Sequence, residues 1–350
     1  MPFLPPNQQR ESTEGGQRAV KTVVLVVVVV QSCHNVVILE AMKCYDCYRN
    51  VCGLSCVGLQ NCQRAGLKVR LQTSALVQGV AYLDDAVSKI YAVCVNCDTV
   101  SVFHAMPPYE QLRGIYVNGL RQPTDIAACT VNRILYVSDK AEGCVWQVTT
   151  GGKADWRIPV WSPTRRKTNA VSPVSLSVRY GRLVVVEVSR LSVCNAHDHR
   201  MDEIKFPESV TLHHAVETEH NSFLVALTTD SSADRSRSTI REMKLDSNGK
   251  WIVARELNTG TVLPHTHISL PRYMTWDTHG YLYVAVRDSR KVLVLDGELN
   301  VVRSVRLRKR SMPSRMCSFS QQAVLLLMVD AGVSVNIYSG IVPSARYSEK

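Results

Sequence analysis

The chain has 350 residues, 45% of them hydrophobic, enough to bury one large core or two smaller ones and too much for a wholly disordered protein. Its formal net charge of +11 favours an anionic partner or surface, but this bears on association and solubility and not on fold. Helix-forming stretches are scarce while Val, Ile, Thr and Tyr abound, so a mostly β chain is predicted.

Residues 1–18 are polar and rich in Pro, Gly and Gln, with nothing to bury, and read as a disordered tail. The apolar run Val20–Val30 follows. It is shorter than the ~20 residues needed to cross a bilayer, so no transmembrane span is predicted. Its β-branched purity suits a buried strand, while Arg18 and Lys21 at its start and Gln31-Ser32 after it suit a signal segment.

Cys44, Cys47, Cys52, Cys56 and Cys62 come next, opening with a C-x-x-C pair. A turn between paired cysteines can place two sulfurs on one tetrahedral zinc, with Cys52 and Cys56 as the second pair. The rival readings are disulfides in a secreted chain, or buried thiols. The other cysteines, Cys94, Cys97, Cys129, Cys144, Cys194 and Cys317, sit in apolar strand contexts, where a free thiol behaves as a small hydrophobe. That pattern fits a reducing compartment and a cytoplasmic location; secretion is the alternative if Val20–Ser32 is a signal segment.

From Leu71 the sequence becomes periodic. Its clearest unit is Gln122 to Val148, with three short strands separated by turn residues at Asn132 and from Asp139 to Gly143. Nine residues after Tyr91, Tyr136 and Tyr283 stand Val100, Val145 and Val292; twelve after them stand Phe103, Val148 and Leu295. Weaker units begin at Pro173, near Val210 and at Pro313, where Leu326 falls in the register of Tyr136. Units spaced by roughly 40 to 60 residues are in the range of propeller blades. Segments such as Ala154 to Trp161 and Asn300 to Leu307 can supply a fourth strand. A small antiparallel sheet cannot bury both faces alone, and radial stacking solves this. Pro123, Pro173, Pro271 and Pro313 stand where each inner strand begins, a position that tolerates a missing N–H. A strand from residues 36–70, or Val20–Val30 itself, is expected to close the ring on the last unit.

Pro123-Thr124-Asp125-Ile126-Ala127, then Leu135-Tyr136-Val137-Ser138-Asp139 and Cys144 to Val148, resemble an NHL repeat, as do Pro271 to Leu295 with Leu282-Tyr283-Val284 and Asp288. The resemblance implies an all-β, six-bladed β-propeller of four-stranded antiparallel blades over residues 71–345. Residues 19–70 would hold the ring-closing strand or signal segment and the cysteines. It also implies a monomeric, non-enzymatic platform for proteins or single-stranded RNA. No complete RING or B-box pattern accompanies it, so ligase activity is not expected.

Candidate binding residues are Trp161, Arg165, Arg166 and Lys167, and Arg306, Arg308, Lys309 and Arg310 in a run from Arg303 to Arg315. Both groups fall between an outer strand and the next inner strand, so they should share one face. Cationic side chains with aromatic platforms suit phosphates and stacked bases; a solvated rim is the simpler reading. Most of the histidines lie between His197 and His279, a distribution open to a channel metal as in some propeller enzymes, of lyase or lactonase type. No spacing recurs from unit to unit, which favours unrelated surface and loop histidines. Asp139 and Asp288, at matching turns, are expected to cap backbone N–H groups. Together these readings predict protein recognition on one ring face, with RNA binding and a metal-dependent propeller enzyme as alternatives. No resident cofactor is expected, with zinc at the cysteines as the exception to be checked.

Overall fold

The computed structural model describes residues 31–32, 35–36, 62–64, 66–73, 75–84, 87–150, 154–158, 173–195, 201–219, 221–230, 237–257, 271–307, 313–319, 325–330 and 334–339. The expected tail at 1–18, the run Val20–Val30, and Cys44, Cys47, Cys52 and Cys56 lie outside these residues. Among the described residues all regular structure is strand, and no helix is long and apolar enough to cross a membrane.

The strands form antiparallel meanders named here sheets A to F. Sheet A comprises Val77–Leu83, Lys89–Cys94, Thr99–His104 and Gln111–Tyr116; sheet B comprises Pro123–Cys129, Ile134–Asp139, Cys144–Thr149 and Ala154–Ile158. Sheet C comprises Ser175–Arg179, Arg182–Val186, Arg190–Asn195 and Met201–Lys205. Sheet D comprises Val210–Glu217, Ser222–Thr229, Arg237–Leu245 and Trp251–Leu257. Sheet E has Pro271–Trp276, Leu282–Val286, Lys291–Leu295 and Val301–Arg306; sheet F has Pro313–Phe319, Leu325–Asp330 and Ser334–Ser339. A separate small hairpin pairs Gln31–Ser32 with Asn35–Val36.

The first strands of consecutive sheets neighbour one another in cyclic order, and that of F returns to that of A. This is a β-propeller. Its closure comes from Gly66–Gln72, which pairs antiparallel with Ser334–Ser339 as the outermost strand of sheet F. The chain segment just before it, Cys62–Arg64, adds in parallel to the outer edge of sheet E. The expectation of uniform blades is therefore corrected: five sheets are four-stranded blades, and sheet E carries a fifth, parallel strand. The unit boundary expected at residue 71 falls inside the closing strand.

The sequence register becomes the core. Tyr91, Tyr136 and Tyr283 are buried on the second strands, with Val100, Val145, Val292, Phe103, Val148 and Leu295 on the third. Each apolar cluster is shared by two successive sheets: Ile126, Leu135 and Val137 of B pack with Tyr91 and Val93 of A, for example. The cluster between F and A includes Val69 and Leu71, so the closing strand contributes side chains as well as a ladder. Burying residues of this size stabilises by about 1.5–3 kcal/mol each. Cys94, Cys129, Cys144 and Cys194 are buried free thiols, while Cys97 and Cys317 are half-buried.

Five of the six inner strands begin irregularly, that of sheet C pairing without a shift. The pairing register shifts between Val77 and Gly79, between Leu212 and His214, between Pro271 and Tyr273, and between Pro313 and Arg315; in B the shift lies at Asp125 and Pro123. One extra residue at a strand start re-aims the side chain that follows it. That recurrent bulge positions the centre of the ring.

Candidate functional site: a polar layer beneath a funnel

The residues that follow the bulge occupy equivalent places around the axis: Gly79 (A), Asp125 (B), His214 (D), Tyr273 (E) and Arg315 (F). Ser175 of sheet C, two residues after Pro173, completes the set. In this position side chains from distant parts of the chain meet.

Asp125 is fully buried. Its Oδ2 accepts the Leu176 N–H at 2.8 Å and its Oδ1 the Ile126 N–H at 2.9 Å. Arg315 Nε lies 3.4 Å from Oδ1, and its terminal nitrogens donate to the carbonyls of Ser314 and Val174 at 3.0 and 3.1 Å. Burial pushes the Asp125 carboxyl up to about 6, against the pull of Arg315 and the two amides. Gly79 makes room for the pair: a Cβ there would stand 2.7 Å from the Ile126 nitrogen and 2.9 Å from Asp125 Oδ1.

Tyr273 donates to the Leu176 carbonyl at 3.2 Å, and the Arg315 guanidinium lies over its ring at 5.3 Å. On the same ring His214 stacks at 3.7 Å with an interplanar angle of 13°. His214 Nε2 is 2.9 Å from the Met274 carbonyl, which only accepts, so Nε2 carries the proton. Nδ1, left as an acceptor, lies 2.9 Å from Ser175 Oγ, whose single proton is shared between it and the His213 carbonyl at 3.0 Å. Burial, helped by the charge of Arg315, pushes His214 down to about 3, so the ring is neutral. His213 occupies the bulge itself, with Nε2 2.7 Å from Thr228 Oγ1 and Nδ1 3.2 Å from Arg272. Burial, then Arg272, pushes it down to about 4.

Above this layer a cavity of about 600 Å³ is lined by the second halves of the inner strands and the turns that follow them. His214 and Tyr273 line its base, with Met274 and Met316; Asp84, Thr130, Tyr180 and Thr278 stand at its mouth. A cavity of this size is in the range of ligand sites.

One side of the mouth is cationic and aromatic. Tyr180 and Gly181 form the two-residue turn between Arg179 and Arg182, with φ of 52° and 73°. Such turns want φ > 0 at both places, which suits Gly181 and strains a bulky aromatic at Tyr180. Arg179 lies 4.8 Å from the Tyr180 ring and 5.0 Å from that of Trp276, and donates to the Glu217 carbonyl at 2.8 Å. The buried Glu217 carboxylate is held by Arg182, which also donates to Asn221 at 2.9 Å. Asp277 accepts the His279 and Tyr281 amides and the Tyr283 hydroxyl at 2.8, 2.8 and 2.9 Å.

Several sequence expectations are corrected here. His213 and His214 are not surface histidines but the buried axis of sheet D, because the bulge turns them inward. His279 is exposed, and His197, His199, His220, His265 and His267 lie outside the described residues. Arg315 leaves the basic run for the ring centre, and Arg303 is half-buried, so that run is not one surface. Arg306 is exposed at the end of sheet E's outer strand. Trp161, Arg165, Arg166, Lys167, Arg308, Lys309 and Arg310 lie outside the described residues. Asp139 does cap: it accepts the amides of Arg121, Gln122, Ala141 and Glu142 and the Trp146 indole N–H. Asp288 is exposed and caps no described amide; its charge acts on Arg272. No group of three or more His, Cys, Asp or Glu among the described residues is placed to hold a metal ion.

No family model matches the chain, and no curated protein matches it in sequence. Its fold is shared with solved β-propellers. A hydrazine synthase structure from Kuenenia stuttgartiensis aligns with a TM-score of 0.54 at 13% identity, over 78% of this chain and 98% of that one. The WD40 propeller domain of Doa1 aligns at 0.53 and 15%, over 79% and 97%. A virginiamycin B lyase from Staphylococcus aureus aligns at 0.54 and 11%, over 79% and 99%. At these identities the likeness shows a β-propeller fold and carries no activity with it; the resemblance to NHL repeats has no matching family model behind it.

Proposed function

We propose that this chain is a non-enzymatic, NHL-like propeller that recognises a protein partner on the face where the funnel opens. The observation that carries the reading is the mouth itself, where Arg179, Tyr180 and Trp276 stand together at the edge of a deep cavity. Arg, Tyr and Trp are the residues in which interface binding energy concentrates, because each offers a large rigid surface and a polar handle. A WD40 domain among the similar folds is consistent with such use. The polar layer below supports the mouth. His214 is fully buried with both ring nitrogens engaged, and Asp125 is taken up by Arg315 and backbone amides, so the layer reads as a rigid floor.

Affinity capture with the purified chain tests this, comparing the native protein with Arg179→Gln and Trp276→Ala, with and without ribonuclease. The reading expects a protein set that survives ribonuclease and is lost in both rim variants. Capture that disappears with ribonuclease, falls steeply with salt and is lost on Arg308→Ala and Lys309→Ala would replace it with RNA binding. Capture indifferent to the rim variants would move the site elsewhere on the ring.

A further inference from the structure

Arg179 is the cation at the funnel mouth whose charge no described carboxylate takes up. Of its five N–H donors one reaches the Glu217 carbonyl, and no ion pair engages the rest among the described residues. The neighbouring acids are already committed. Glu217 is neutralised by Arg182, and Asp277 is held by two amides and a tyrosine hydroxyl. Asp84, which accepts from Ser88 at 2.7 Å, belongs to sheet A, whereas Arg179, the Glu217 carbonyl and Trp276 belong to sheets C, D and E. The mouth thus has a positive, aromatic side and an acidic side.

Two further features point the same way. The Arg179 guanidinium carbon lies within cation–π distance of two rings, at 4.8 and 5.0 Å, and only one of its donors is spent on the Glu217 carbonyl, so the group is held in place with donors to offer a bidentate acceptor. Tyr180 is 60% exposed in a left-handed turn position where Asn or Gly would cost less, so the turn gives up stability to keep an aromatic group at the mouth. Deeper in, Ala127, Val216, Met274 and Met316 give the wall an apolar character.

We propose that the mouth receives an acidic side chain from an extended segment of the partner protein, its carboxylate on Arg179 between Tyr180 and Trp276, with an adjacent apolar residue entering the cavity. This rests on the protein-recognition reading and names the chemistry of the partner. A charge-assisted hydrogen bond contributes about 1.5–3 kcal/mol, so exchanging the ligand carboxylate for an amide should weaken binding about ten-fold or more.

The test is selection of a displayed random-peptide library on the full chain, followed by binding of synthetic peptides made with Glu or Gln at the selected acid. The proposal expects Asp or Glu to be enriched, the Gln peptide to bind about ten-fold or more weakly, and Arg179→Gln to erase that difference. Tyr180→Asn should bind weakly while unfolding at the same or higher temperature, since it suits the turn better; this separates lost contact from lost fold. Peptides that bind equally with Glu and Gln, or a Glu preference that survives Arg179→Gln, overturn the proposal. If the selected peptides are neutral and lose binding on Trp276→Ala, the acidic ligand fails while protein recognition stands. A selection yielding no rim-dependent binder overturns both.

Discussion

Asp125 of sheet B and Arg315 of sheet F meet at the centre of the ring, Oδ1 to Nε at 3.4 Å, across the one inner strand that has glycine at the equivalent place. Asp125 is fully buried and the Arg315 side chain is only 17% exposed, so neither charge is well solvated. Removing one partner leaves the other uncompensated, which costs about 3–5 kcal/mol. Asp125→Leu and Arg315→Met should each lower the denaturation midpoint sharply, and the double variant should lose less than the sum of the two. Chemical unfolding of the three variants checks this; strict additivity would mean the groups do not interact.

Gly79 is required for a steric reason. A methyl group there meets the Ile126 nitrogen at 2.7 Å, and the obstacle is backbone, which cannot rotate away as a flexible side chain could. Gly79→Ala should destabilise by about 1–3 kcal/mol, as overpacking does, despite the usual benefit of replacing glycine in a strand. Thermal unfolding would show it, and an unchanged or raised midpoint would contradict the close approach of sheets A and B.

Acid should weaken the fold, and the sign follows from which state holds more protons. His213 and His214, pushed down to about 4 and 3, stay neutral in the folded chain while the unfolded chain protonates below about 6.5. Their contribution is lost as pH falls. Glu242, whose bonds from Arg255, Lys244 and Ser222 outweigh its burial, acts in the same direction. Asp125, raised by burial to about 6, and Glu187, also raised by burial, act oppositely: they favour the folded state at low pH and lose that contribution as pH rises. The histidines and Glu242 outnumber them, so the urea midpoint should fall from pH 6.5 to 4. Asp125→Asn should steepen the fall and His213→Gln should flatten it. A midpoint that rises on acidification would contradict the buried neutral histidines.

The two turn aspartates should behave differently in spite of their matching sequence positions. Asp139→Ala strands four backbone amides and an indole N–H and should cost about 1–3 kcal/mol or more. Asp288→Ala, at an exposed residue, should stay within about 0.5 kcal/mol. Paired thermal melts of the two variants decide it; equal losses would contradict the assignment.

The ring was legible in the sequence because its core repeats: Tyr91, Tyr136 and Tyr283 recur with their apolar partners at fixed distances, and packing between sheets enforces that spacing. The closing strand Gly66–Gln72 was harder to read because it pairs with the far end of the chain, and the parallel strand Cys62–Arg64 has no pattern of its own. The central layer was hidden for another reason. Its members have nothing in common chemically, since one axis needs one acid, one base and their supports, so no residue type recurs from unit to unit. A positional signal was nonetheless present: Asp125, Ser175, Tyr273 and Arg315 each stand two residues after a strand-opening proline. In sheet D no proline marks the position, and His214 looked like one of many loop histidines. The mouth was invisible because Arg179 and Trp276, far apart in sequence, meet only when sheets C and E are brought round the ring.

A photo-reactive residue placed at Tyr180, and separately at Ile252 on the exposed outer strand of sheet D, tests most directly where this protein engages its partner. Position 180 should give discrete protein adducts that vanish when Arg179→Gln or Trp276→Ala is added, and position 252 none of those adducts. Adducts confined to position 252, or a pattern at 180 unchanged by the two rim substitutions, would contradict binding at the mouth.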